Sequence, residues 1–296
     1  MEHIRAIFER LRRSNRTALI PFIMGGDPDC AMTGQLLLAL EDAGADLIEV
    51  GIPFSDPLAD GPVIQRASVR ALLRGVRPSQ VLSAVAKVRH RLRVPVVCLS
   101  YWNPMVQFGA STPRQRTVAG RSAFRPQLFL KGLQRRSGEG GVSAFVRAAR
   151  ASGFSGVIVP DLPVEEGRLL RMIGMRERFA TICLAAPTSP PERLRMIARA
   201  SQGFIYYVSV TGTTGIRRSL PEGLVHGVRQ LKLLTTKPVC VGFGISTPAQ
   251  VRAVARIADG VIVGSALIRA MEGAGGRGAM LRRASHFVKR LRAAVS

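Results

Sequence analysis

An acidic residue inside an apolar run is the first feature of this sequence that could do chemistry. Glu49 interrupts Leu47–Ile52, which has the length and composition of a buried strand. Burying a carboxyl group is costly unless the group is paired or used. If Ile48 and Val50 pack outward, Glu49 points inward, where burial would raise its pKa toward values useful for proton transfer near neutrality. A core carboxylate paired with an arginine or a backbone donor is the structural alternative.

The segment that follows, Gly51–Pro62, carries Asp56 and Asp60 and contains three prolines and two glycines. This composition predicts a rigid loop that can aim a carboxylate. Asp60, just before Gly61 and Pro62, could instead cap a helix. Two carboxylates in one pocket can divide acid and base work when their pKa values differ, which is the chemistry this spacing favours.

Glycine-rich segments end three later apolar runs. They are Thr211–Gly215, Gly242–Ser246 and Gly264–Ala266. Glycine lets the backbone approach a ligand closely, and free N–H groups at a helix N-terminus favour an anion. The repetition of the pattern predicts a site for a phosphate-bearing ligand.

The elements that must position these residues are eight short apolar runs, typical of parallel strands that are covered on both faces. The predicted strands are Ala18–Met24, Leu47–Ile52, Val94–Tyr101, Gly156–Asp161, Thr181–Ala185, Phe204–Val210, Pro238–Phe243 and Gly260–Val263. The predicted helices are Met1–Arg12, Pro28–Gly44, Pro78–Arg91, Val164–Arg178, Pro191–Ser201, Pro221–Leu234, Thr247–Ala258 and Ala279–Ala294.

This alternation predicts an α/β protein, a single (β/α)₈ TIM barrel over residues 1–296 with an N-terminal helix. In that fold the site lies at the carboxyl ends of the strands, and the loops after the last two strands commonly bind phosphate. A doubly wound open sheet is the alternative. Eight units without a GxGxxG motif after the first strand disfavour it.

One segment, Ala110–Gly140, breaks the rhythm after the third predicted strand. It contains six arginines and one lysine against the single acidic Glu139. A long loop in a compact barrel is either functional or disordered. We therefore interpret it as a basic, mostly mobile insertion.

The net charge of +24 raises the question of a nucleic-acid or acidic membrane partner. The charge is spread from Arg5 to Arg292, however, and the aromatic content of 5% is low for a base-stacking surface. We therefore do not expect nucleic acid as a partner. The sequence shows no signal peptide and no apolar run of the ~18 residues that a membrane helix needs, so we expect a cytoplasmic protein with no membrane contact.

The cysteines lie far apart in the sequence and do not suggest a paired or metal-binding set. They are Cys30, Cys98, Cys183 and Cys240. Three of them fall inside apolar, strand-like runs, where a free thiol behaves as a small hydrophobic group. We predict free thiols and no metal site.

Glu49–Gln65 resembles the signature of the tryptophan synthase alpha chain family. Further matches occur in the same order along the chain: Pro21–Phe22 with Gly26–Pro28, Tyr101–Pro104, Pro160–Pro163, Tyr206–Ser209, Gly242–Ile245 and Gly264–Ala266. The insertion Ala110–Gly140 and the strongly basic charge depart from the family pattern.

The resemblance implies a lyase that cleaves indole-3-glycerol phosphate by a retro-aldol reaction, with Glu49 and Asp60 as its catalytic pair. Glu49 would shuttle protons, and Asp60 would bind the indole N–H. Neither step needs a metal or an organic cofactor. The implied substrate-binding residues are Phe22, Leu99, Ile158, Tyr206 and Thr214. The implied phosphate-binding residues are Gly215, Gly244, Gly264 and Ser265.

The resemblance also implies a partner, the tryptophan synthase beta chain, in an α₂β₂ heterotetramer. Pyridoxal phosphate would then belong to the beta chain alone. Pro53, Asp56, Asn103 and Pro104 would face that partner, with the insertion beside them. Two rival functions stay open: another barrel that acts on a related indole or ribose phosphate, and a basic barrel that binds RNA or a membrane surface.

Overall fold

The computed structural model describes residues 1–109, 138–208, 220–242 and 244–295. In these ranges all strands are parallel and form one sheet, in the order β5-β4-β3-β2-β1-β9-β8-β7-β6. The strands are β1 (Ala18–Met24), β2 (Ile48–Gly51), β3 (Val96–Leu99), β4 (Phe154–Ile158), β5 (Ala180–Ile182), β6 (Leu184–Ala185), β7 (Ile205–Val208), β8 (Val239–Gly242) and β9 (Gly260–Val263).

The two edge strands of the sheet are consecutive in the chain, and their closeness shows that the sheet closes into a barrel. β5 pairs with β4, and β6 pairs with β7. Only Cys183 separates β5 from β6, so the two segments together serve as the fifth strand of an eight-stranded barrel. The predicted TIM barrel is confirmed.

Helices alternate with the strands and cover the barrel from outside. They are α1 (Glu2–Arg13), α2 (Cys30–Asp42), α3 (Pro62–Leu73), α4 (Pro78–Arg89), α5 (Trp102–Val106), α6 (Gly138–Ala151), α7 (Arg168–Arg176), α8 (Pro191–Ala200), α9 (Glu222–Leu234), α10 (Pro248–Ala255), α11 (Ser265–Met271) and α12 (Arg277–Arg292). Local signals start some of them: the Asp29 side chain accepts the Met32 N–H before α2, and Thr247 accepts the Gln250 N–H before α10.

The leading helix is amphipathic and packs on the amino end of the barrel. It buries one face, formed by Ile4, Ile7, Phe8 and Leu11. The ring of Phe8 lies 5.9 Å from that of Phe204, just before β7. Burial of this apolar face therefore fixes α1 under the strands.

The predicted elements differ from the structure in several places. The fourth strand runs over Phe154–Ile158 rather than Gly156–Asp161, because Phe154 already pairs with Val96 of β3. Helices α3, α5, α6 and α11 were not predicted. Helix α6 begins at Gly138, so the last residues of the predicted insertion 110–140 belong to a helix, and residues 110–137 lie outside the described part of the chain.

The cysteine prediction is confirmed, since Cys30, Cys98, Cys183 and Cys240 are all free thiols and the last three are buried. Within the described ranges no group of three or more His, Cys, Asp or Glu side chains is arranged to hold a metal ion. No helix in the same ranges is long and apolar enough to span a membrane.

Candidate active site

Glu49 lies in the middle of β2, between Phe22 of β1 and Val97 of β3 in the strand register. Its side chain points into the barrel, since it raises the pKa of Tyr206 on β7, a strand that does not neighbour β2 in the sheet. Only 1% of Glu49 is exposed. The expectation that this carboxyl group faces the interior is confirmed.

The surroundings of Glu49 favour its protonated form. Burial raises its pKa to about 8, and the nearby charge of Asp60 adds to the rise. Its Oε1 atom has no hydrogen-bond partner among the described residues. The structural alternative, a core carboxylate held by an arginine or a backbone donor, therefore does not describe Glu49.

Asp60 lies in the loop between β2 and α3, close enough to Glu49 for its charge to raise the pKa of Glu49. Burial raises its pKa to about 6, and a hydrogen bond from the Tyr101 hydroxyl opposes this rise. The N-cap of α3 is Gly61, and no side chain caps that helix. Asp60 is therefore not a helix cap, and its carboxylate remains available to a ligand.

The loop that carries Asp60 is held by side chains from the residue before α5 and from α3. Tyr101 accepts the Ala59 N–H at 3.1 Å, and the Gln65 side chain donates to the Asp60 carbonyl at 2.9 Å. Ser68 both accepts from the Phe54 N–H, at 2.9 Å, and donates to its carbonyl, at 2.8 Å. These contacts fix the backbone of the loop that carries Asp60 before any ligand arrives.

Tyr101, Gln65 and Ser68 were missed as functional residues by the sequence reasoning. Tyr101 was part of a matched motif but received no role. Its position directly after the third strand, at the end of the barrel that holds the site, was the available signal. Gln65 ends a matched motif but also received no role, and Ser68 gave no signal, because helix α3 itself was not predicted.

Four predicted substrate-binding side chains belong to the buried core of the barrel: Phe22, Leu99, Ile158 and Tyr206. Leu99 pairs in register with Gly51 on one side and with Ile158 on the other. All four are buried, with at most 9% exposed. Phe22 pairs with Glu49 in the strand register, and Tyr206 lies close enough for the charge of Glu49 to raise its pKa, so this largely apolar set suits a flat aromatic ligand.

Glycines keep space for these side chains. A Cβ at Gly51 would lie 2.7 Å from Cζ of Phe22, and a Cβ at Gly264 would lie 3.3 Å from its Cδ1. A Cβ at Gly242 would collide with the Tyr206 hydroxyl. The packing of Phe22 and Tyr206 therefore leaves no room for a side chain at Gly51 or Gly242 and little at Gly264, in addition to any role of these glycines toward a ligand.

The predicted phosphate-binding residues that the structure describes lie at the same end of the barrel. Gly264 is the N-cap of α11, which no side chain caps, and Ser265 is its first residue. Gly244 follows β8 with φ of 72°, in the left-handed region that favours glycine. Uncapped N–H groups at this edge suit an anion. Thr214 and Gly215 lie outside the described residues.

Comparison with known proteins agrees with this geometry. Residues 8–118 and 137–296 match the family described as tryptophan synthase alpha chain. The gap in this match, residues 119–136, falls within the predicted insertion.

Individual relatives are similar over most of their length. The chain is 45% identical to the tryptophan synthase alpha chain of Gloeobacter violaceus, over 90% of this chain and 85% of the relative. A solved tryptophan synthase subunit alpha from Legionella pneumophila superposes with a TM-score of 0.81 at 32% identity, covering 99% of this chain and 98% of that one. A solved Mycobacterium tuberculosis tryptophan synthase gives 0.80 at 35% identity, covering 99% and 97%.

Proposed function

Because the chain belongs to the tryptophan synthase alpha chain family, we propose that Glu49 and Asp60 perform its reaction. The chain is a lyase that cleaves indole-3-glycerol phosphate to indole and glyceraldehyde 3-phosphate, the alpha reaction of tryptophan biosynthesis. The observation that carries the assignment is the buried Glu49 carboxyl, which lacks a hydrogen-bond partner among the described residues and has Asp60 beside it.

In the first step Glu49 acts as an acid. With a pKa of about 8 it is protonated at neutral pH and donates its proton to indole C3. The indole nitrogen then gains positive charge. Asp60, with a pKa of about 6, is ionised at neutral pH, accepts a hydrogen bond from the indole N–H and balances that charge. Two carboxyl groups with separated pKa values thus take separate roles.

In the second step the Glu49 carboxylate acts as a base. It removes the proton from the hydroxyl on the carbon attached to C3. The bond between that carbon and C3 breaks, its electron pair returns to the ring, and the hydroxyl carbon becomes the aldehyde. Glu49 ends protonated, as it began. These steps move protons and stabilise charge only, so we propose that the cleavage uses no metal and no organic cofactor.

We assign the remaining predicted residues to the two ends of the substrate. Phe22, Leu99, Ile158 and Tyr206 enclose the indole ring, an assignment supported by their burial around Glu49. Gly244, Gly264 and Ser265 bind the phosphate through backbone N–H groups, together with Gly215, and Thr214 contacts Asp60. The roles of Thr214 and Gly215 rest on the family resemblance alone.

Glu49→Gln tests the assignment, because it removes the transferable proton and preserves the side chain's shape. We expect indole release from indole-3-glycerol phosphate to fall by roughly 100- to 10,000-fold, the usual contribution of a general acid–base group. Circular dichroism and the melting temperature of the variant show whether the fold is retained. A folded variant that loses less than about tenfold in kcat would exclude Glu49 from the proton transfers.

Tryptophan synthase alpha chains work with a beta chain, and we propose the α₂β₂ heterotetramer for this one. Pro53 and Asp56, in the loop after β2, and Asn103 and Pro104, in α5 after β3, lie at the mouth of the barrel that would face the partner. Leu58, in the same loop as Asp60, is 83% exposed and would be covered by a partner bound at this mouth. Leu58→Asp should weaken co-elution with a beta chain that binds pyridoxal phosphate, while basal cleavage is kept.

We further propose that the protein acts in the cytoplasm, where a phosphorylated substrate and a beta chain would both be present. Cell fractionation tests this location.

Activity that is lost on chelator treatment and regained with added metal would contradict the proposal that the cleavage needs no metal.

A further inference from the structure

A second concave region lies at the amino end of the barrel, opposite Glu49 and Asp60. A cavity of about 410 Å³ opens there between the end of α1 and the end of α10. Thr17, Pro238 and Asp259, each directly before a strand, line it. None of the described residues assigned to the lyase site does so. Its volume falls within the range of roughly 300–1,000 Å³ that is typical of small-molecule sites.

Cations outnumber acidic groups in this cavity. Arg12, Arg16, Lys232 and Arg256 line it, against the single acidic residue Asp259. Asp259 is already bound, because it accepts a hydrogen bond from Lys232 Nζ at 3.1 Å and from the Val239 N–H at 2.9 Å. Its charge therefore does not compensate the three guanidinium groups.

The carboxyl ends of helices α1, α9 and α10 also point toward this end of the barrel. Each contributes about half a negative charge. Two carbonyl groups at these helix ends already accept hydrogen bonds, which offsets part of this negative charge. Arg12 donates to the Thr236 carbonyl at 3.0 Å, and the Thr17 hydroxyl donates to the Ala255 carbonyl at 3.2 Å. The four cations still exceed Asp259 and the three helix ends together.

Donors in the cavity remain unused within the described part of the chain. Asn15, Arg16 and Arg256 make no side-chain hydrogen bond or ion pair with the described residues. Arg16 lies close enough to lower the pKa of Asp46, but that carboxylate is already bound by Arg292 at 2.6 Å. Each free guanidinium offers five N–H donors.

We propose that this cavity binds a small phosphorylated anion through the guanidinium groups of Arg16 and Arg256 and the ammonium group of Lys232. Guanidinium groups pair with phosphate through two parallel hydrogen bonds, which makes phosphate the favoured anion. The recessed volume suits a small molecule. Phe8, the aromatic residue in the lining, is only 6% exposed, so it offers no surface for stacking nucleic-acid bases. This site is separate from the lyase reaction.

Calorimetric titration of the full chain with pyrophosphate tests the proposal. The variant Arg16→Gln/Arg256→Gln is compared with Arg147→Gln/Arg195→Gln, which removes the same charge from exposed positions on α6 and α8, helices that do not line the cavity. We expect the first variant to lose at least about tenfold in affinity at one binding event, from the loss of charge-assisted hydrogen bonds. The control should stay within about twofold, because distant surface charges are screened.

Measuring the lyase reaction of the same variants distinguishes the amino-end cavity from the lyase site. kcat and KM for indole-3-glycerol phosphate should be unchanged in Arg16→Gln/Arg256→Gln, which shows that the phosphate site at the mouth is intact. Equal affinity loss in both double variants would overturn the proposal, since it would reveal a general charge effect. Unchanged pyrophosphate affinity would overturn it too. So would binding of a single-stranded oligonucleotide that depends on Arg16 and Arg256 and that pyrophosphate does not displace.

Discussion

Asp46 and Glu49 are buried carboxyl groups three residues apart, one just before β2 and the other inside it, and their surroundings differ. Asp46, at the amino end, accepts the Leu19 N–H at 3.0 Å and binds Arg292 Nη1 at 2.6 Å. Glu49, facing the mouth, has an oxygen without a hydrogen-bond partner among the described residues. Burial is similar at 5% and 1% exposed, so burial alone does not identify a functional acid. The absence of an internal partner does.

The two environments act differently on protonation. Burial raises the pKa of Asp46, while the Leu19 N–H and the charges of Arg16 and Arg10 oppose the rise. At Glu49 burial and the charge of Asp60 act in the same direction. One carboxyl group is held in place as an ion pair, and the other is kept protonated at neutral pH and free to exchange its proton.

Substitution of Asp60, which raises the pKa of Glu49, should have the largest effect on the difference between the two carboxyl groups. Asp60→Asn should lower kcat by roughly 100- to 1,000-fold, because a neutral amide cannot balance the charge on the indole nitrogen. The pKa of Glu49 should fall at the same time, since a neighbouring negative charge is lost. Steady-state indole release measures the rate. Asp42→Asn, an exposed change at the end of α2, is the control, and an equal loss in both variants would refute the role of Asp60.

Asp46→Asn should have the reverse profile. It removes the carboxylate that Arg292 binds at 2.6 Å, and breaking a buried ion pair destabilises a protein by about 3–5 kcal/mol. Urea unfolding measures the loss, and kcat of the folded variant should stay within twofold of the parent. A variant with normal stability and reduced kcat would break the comparison, because Asp46 would then behave as an active-site residue.

Tyr101→Phe should produce the smallest effect. It removes the hydroxyl that accepts the Ala59 N–H and donates to Asp60, so the loop loses one contact and the carboxylate loses a stabilising donor. The pKa of Asp60 should rise, which moves the acidic limb of the kcat/KM profile to higher pH. We expect kcat to fall by about three- to tenfold, as for one hydrogen bond. An acidic limb that stays in place would show that Tyr101 does not act through Asp60.

Features that depend on the local pattern of residues, such as strand bounds and the position of Glu49, could be predicted from the sequence. β1 and β9 were predicted residue for residue, because each is an apolar run with sharp polar or glycine boundaries. Glu49 was identified because an acidic residue inside such a run is conspicuous. The break at Cys183 within the fifth strand was not visible, since the apolar run continues through it.

Contacts between distant residues could not be predicted in this way. Arg292 reaches Asp46 across 246 positions, and Tyr101 reaches Ala59 across 42. No spacing rule connects such pairs before the barrel closes and brings them together. The same limit applied to the amino-end cavity, whose cations come from the end of α1, from α9 and from the end of α10.

The protonation state of Glu49 is the central claim, and a direct titration tests it. In protein with ¹³C-labelled glutamate carboxyl groups, the NMR signal that is absent from Glu49→Gln belongs to Glu49. The account predicts that this signal titrates with a midpoint near pH 8, at which burial and Asp60 hold its pKa. A midpoint near the ordinary glutamate value of about 4.3 would mean that Glu49 is ionised at neutral pH, and it could not then donate the proton to indole C3.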